Sequence, residues 1–104
     1  MNIFKHLLAT LRLNFAISKA DTALAETGER HYVMPQHGSR RLVVVDRRNF
    51  RLLRRKGYIN PKATVTDMIS ECFYHTPYRD GSGILPPDMA AKKRKAYLSW
   101  FARH

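Results

Sequence analysis

Cysteine is almost absent from this chain and acid is scarce. Cys72 stands alone, so no intrachain disulfide can form, and a reducing compartment is the simpler setting. Eight Asp and Glu residues face nineteen Lys and Arg, for a net charge of +11 and a pI near 10.4. No apolar run approaches the roughly 18 residues that a membrane-crossing helix needs. Residues 3–17, IFKHLLATLRLNFAI, come nearest, but Lys5, His6 and Arg12 interrupt them and no clear small-residue cleavage site follows. Neither an anchor nor a secretory leader is expected, and the cytoplasm is the expected location.

Chemistry-bearing patterns are missing too. Cys72 and His75 lie three apart, and His31 and His37 flank a turn, but a zinc site would need all of them to converge without a second cysteine. Cys72 also falls in an apolar stripe, where a thiol is buried and not activated. Asp67, Glu71, Asp80 and Asp88 show no paired spacing for acid–base work. The loop TPYRDGSG has glycines but lacks the strand before it and the Lys-Ser/Thr after it that a phosphate loop requires. No enzyme activity, no metal and no cofactor are expected.

What is present fits one compact unit. The 104 residues are 44% hydrophobic, enough for a single core and too few for two. Neither a repeat nor a linker divides residues 1–104. Periodicity and punctuation predict a small α+β domain: a long N-terminal helix over about 3–26, a β-hairpin over about 31–45, and helices over about 47–56, 65–75 and 87–102. Val43–Val45 is too apolar for a strand with one wet face and is expected under a helix. Val65, Met68, Ile69, Cys72 and Phe73 follow helical spacing and are expected to face the core.

The long first helix carries two apolar stripes. Ile3, Phe4, Leu7, Leu8, Leu11 and Phe15 form one, while Leu13, Ile17, Ala20 and Leu24 form another, rotated well away. Two stripes suit two neighbours, and Leu13, Ile17 and Leu24 are the candidate interface with a second subunit or partner. A single core wrapping around the helix is the plainer alternative.

The positive charge is local. Residues 1–29 hold three basic and three acidic side chains, whereas residues 30–66 hold ten basic against one acidic. At 100° per residue, Arg47, Arg48, Arg51, Arg54 and Arg55 fall within an arc of about 120° on one helix face. No acid lies at i±3 or i±4 among them, so they repel one another by roughly 0.2–0.5 kcal/mol per pair. Arginine suits forked hydrogen bonding to phosphate oxygens. Arg40 and Arg41, at the start of the second strand, are candidates to extend the patch; Lys92, Lys93, Arg94 and Lys95 spread around the last helix and form no single face.

Two functions follow. One is non-specific contact with nucleic-acid phosphates, DNA or RNA, through the arginine face. The other is assembly, with the N-terminal helix self-associating and the basic face docking an acidic protein. A solvated basic face without a ligand is the bland alternative. Eight residues separate the helices around the turn at Gly57–Thr64, too many for a helix-turn-helix.

Overall fold

A computed structural model describes residues 2–104. In chain order the elements are α1 (Ile3–Thr27), β1 (Tyr32–Pro35), β2 (Leu42–Val45), α2 (Arg47–Arg55), α3 (Val65–Glu71), β3 (Tyr74–His75) and α4 (Pro87–Arg103). The three strands form one antiparallel sheet in the order β2-β1-β3. The small α+β fold read from the sequence is therefore present, with one more strand than expected.

The sheet is covered on both faces, because side chains alternate along each strand. Val33, Leu42 and Val44 face one layer, with Leu13 of α1 and Tyr97 and Phe101 of α4. Tyr32, Met34, Val43 and Val45 face the other, with Phe50 of α2 and Met68 of α3. This explains the unbroken Val43–Val45 run, since every residue of β2 has a helix above or below it. Pro35 is tolerated in the central strand because it ends β1, beyond the reach of the short β3.

Local chemistry sets the element ends. Asn2 caps α1 by accepting the Lys5 N–H at 2.8 Å, and Gly28 ends the helix at φ +75°, a left-handed conformation that suits glycine. Thr64 and Asp67 form a reciprocal capping box on α3. Pro87 occupies the first turn of α4, where its missing N–H costs no helical bond.

Two expectations need correction. The helix predicted over 65–75 stops at Glu71, and Tyr74–His75 becomes the third strand. Cys72 and Phe73 point to opposite faces of the sheet, one toward Met68 and the other toward Tyr97. That is a period of two, which a helical template misreads as the end of an i, i+7, i+8 pattern. Ile69, expected in the core, is 43% exposed.

The second correction concerns α1. Its buried face is made of Ala9, Leu13, Ala16 and Ala20. Leu13 lies in this chain's own core, Ile17 packs against that core, and Leu24 is half-buried. They do not form an outward surface for a partner. The outward face is the other stripe: Ile3, Phe4, Leu7, Leu8, Leu11 and Phe15 are 42–81% exposed. Small residues let the helix lie close to the sheet and to α4, where the Tyr97 hydroxyl donates to the Ala9 carbonyl at 2.6 Å. A stripe of Phe and Leu has no room there. Among the described residues no helix is long and apolar enough to cross a membrane.

Candidate nucleic-acid interface

The arginine helix is fixed from below and bare above. Asp46 caps α2, its carboxylate accepting the Asn49 N–H at 2.7 Å. Phe50 is fully buried and Leu53 half-buried, which anchors the opposite face in the core beneath β2. Gly57, at φ +84°, ends the helix and turns the chain.

Of the five arginines placed on one face, four are exposed: Arg47, Arg48, Arg51 and Arg55. Arg54 is withdrawn. Its guanidinium donates to the Ala63 carbonyl at 2.8 Å and lies 5.6 Å from the Phe50 ring centre, so it ties α2 to the segment leading into α3. Among the described residues a single acid reaches the exposed four: Glu29, 3.5 Å from Arg48, in a pair open to water and worth little. Arg47 and Arg48 also sit in the first turn, where the helix dipole opposes positive charge. The chain thus holds four cations together against mutual repulsion and, for two of them, against the dipole.

Arg40 and Arg41 do not join this face. Arg40 lies 5.5 Å from the ring centre of Phe101 in α4, and Arg41 opens onto a groove beside Leu11, Arg12 and Phe15 of α1. Both belong to the layer on the other side of the sheet. The reason is topological: β2 runs from them toward α2, and α2 then folds back over the opposite face.

The lysine cluster of α4 is divided as well. Lys93 is buried, donating to the Cys72 carbonyl at 2.8 Å and the Ser70 carbonyl at 3.3 Å. It neutralises the carbonyl end of α3, a role that favours a cation. Burial pushes the Cys72 thiol up, a shift only partly opposed by Lys93 at 3.6 Å from the sulfur. The thiol is held protonated, the setting of a structural cysteine. Among the described residues no group of three or more His, Cys, Asp and Glu side chains gathers in a metal-binding arrangement.

The loop after β3 is ordered by a residue that sequence reasoning passed over. Arg30 donates to the Thr76 carbonyl at 2.8 Å and the Gly83 carbonyl at 2.6 Å, and stacks 4.3 Å from the Tyr78 ring centre. A side chain at Gly83 would collide with that Tyr78 ring, so glycine is required for the stack. Tyr78 is exposed on its outer side, while Tyr74 packs against the core beneath α1 and donates its hydroxyl to Asp21 at 2.7 Å. Arg30 also meets Nδ1 of His75 at 2.7 Å. Arginine can only donate, so this nitrogen accepts and the ring is neutral. Burial, with the Arg30 and Lys93 charges, holds the His75 pKa below its ordinary value, against the pull of the Thr76 carbonyl 3.1 Å from the same nitrogen.

Comparison with models of protein families, with curated proteins and with solved structures finds no match to this chain.

Proposed function

We propose that this protein binds nucleic acid by gripping its phosphates through the exposed face of α2, without reading base sequence. The observation that carries this reading is the set of four exposed arginines, Arg47, Arg48, Arg51 and Arg55, on one short helix rooted by Phe50. Rigid, forked donors on a convex helix suit contact with successive phosphate oxygens. A solvated face kept only for solubility would mix signs and would not oppose the helix dipole. The test is fluorescence polarisation with labelled 20-mer duplex and single-stranded probes. Micromolar or tighter binding at low salt that falls at least tenfold in an Arg51→Glu/Arg55→Glu variant supports the reading. Absence of binding at ~50 mM salt, where phosphate contacts are strong, contradicts it.

A second reading rests on its own observation, the apolar outer stripe of α1. Six large side chains there leave several hundred Å² of apolar surface in water, the scale at which a patch marks an interaction site. In that reading the chain self-associates through Leu7, Leu11 and Phe15. Sedimentation in high salt separates the two functions: an apolar assembly persists there and is dispersed by Leu7→Glu/Leu11→Glu.

A further inference from the structure

β2 is an edge strand, and its outer edge is open. The bond from the Gln36 N–H to the Arg41 carbonyl at 2.9 Å sets which residues of the hairpin pair directly. By alternation, Val43 and Val45 turn their backbone groups toward β1, while Leu42 and Val44 turn theirs outward. Two N–H donors and two carbonyl acceptors thus line an edge that, among the described residues, no strand covers. The residues themselves are only half-buried, in contrast to fully buried Val33 on the central strand.

Two grooves flank this edge. One, of about 570 Å³, lies between β2 and α1 and is lined by Leu11, Arg12, Phe15, Lys19 and Arg41. The other, of about 410 Å³, reaches Leu53 and Tyr58 on the α2 side. Lys19, Leu42 and Val44 border both, so the two grooves form a single trough with the strand edge along its floor. Among the described residues no Asp or Glu lines either one.

We infer that this trough docks an extended acidic segment of a partner protein as a fourth strand. An added strand takes its main-chain bonds from Leu42 and Val44 and sends alternate side chains to opposite sides. On the α1 side they meet Leu11 and Phe15 among Arg12, Lys19 and Arg41, and the three cations call for Asp or Glu. On the other they meet Leu53 and Tyr58 beside His31 and Gln36, and the two large side chains call for an apolar residue. The occupant is therefore a short segment in which acidic and apolar residues alternate. A second copy of this chain is disfavoured by charge, since pairing two β2 edges would bring the same three cations together with no acid between them. The arginine face of α2 takes no part, so this site stands or falls independently of phosphate binding.

The test is selection of random 16-residue peptides displayed on phage, followed by polarisation binding of the enriched sequences as labelled synthetic peptides. The expected winners alternate Asp or Glu with apolar residues. Their affinity falls at least tenfold in Lys19→Glu/Arg41→Glu and in Val44→Pro, which removes an outward N–H, and is unchanged in Arg51→Glu/Arg55→Glu. N-methylation of the peptide at every second residue abolishes binding in one register and spares it in the other, a readout that does not depend on Val44→Pro folding. No enrichment, winners without acidic residues, or binding indifferent to Lys19→Glu/Arg41→Glu would overturn the inference.

Discussion

The outer faces of α1 and α2 lie on opposite sides of the same sheet and are built from opposite chemistry. Each helix is anchored from below, α1 by Leu13 among alanines and α2 by Phe50. Above the anchor, α1 shows water Phe and Leu, while α2 shows arginine. Both faces are costly to keep in isolation, one by exposing apolar surface and the other by crowding like charges. The contrast teaches that the two faces would respond to different variables. Ionic contacts at α2 would weaken with salt, and apolar contacts at α1 would not.

The comparison breaks most visibly within α1 itself. Leu13→Ala empties a core position and should cost about 2–5 kcal/mol. Leu11→Ala, on the outer stripe, should stay within about 0.5 kcal/mol. Urea unfolding of both variants checks this, and equal losses would mean that the outer stripe is packed after all.

A smaller effect divides the arginines of α2. Arg54→Ala should lose about 1 kcal/mol of stability with its bond to the Ala63 carbonyl. Arg51→Ala should lose nothing measurable, because it removes repulsion and no contact. Thermal unfolding of the pair, read beside their nucleic-acid affinities, should show the two effects exchanged: Arg51 matters for binding and Arg54 for folding.

The smallest effect concerns pH. The His75 pKa is lowered in the folded state, so the unfolded chain binds the proton more readily. The stability this contributes is present above the ordinary histidine value of about 6.5 and is lost as pH falls through the folded value. Urea midpoints between pH 7.5 and 5 should fall less in His75→Gln than in the wild type. The arginine face does not titrate in this range. Duplex binding by the folded protein should therefore stay nearly flat where stability declines.

Much of this fold was legible in the sequence because its signals are local. Asp46, Gly28 and Pro87 mark helix ends by their own chemistry, and the wheel position of Arg51 follows from α2 alone. Other features escaped because they depend on what packs across the chain. Cys72 and Phe73 satisfy a helical template and a strand template alike, and only the vacant side of β1 makes them strand-like. The choice between the two stripes of α1 depends on how closely the sheet and α4 approach, which favours Ala9, Ala16 and Ala20 over Phe4 and Phe15. Arg54 and Lys93 look like surface charges until the carbonyls of Ala63 and Cys72 arrive beside them. Even the open edge of β2 is invisible until the order β2-β1-β3 is known.

The central claim, that α2 grips phosphates through four exposed arginines, is tested most directly by the salt dependence of duplex affinity. Each phosphate neutralised contributes about −0.9 to the slope of log K against log salt, so four contacts give a slope of about −3.6. The wild-type slope is expected near that value, reduced by about one in Arg51→Ala and unchanged in Arg54→Ala. A slope near zero, or one that Arg51→Ala leaves intact, would contradict it.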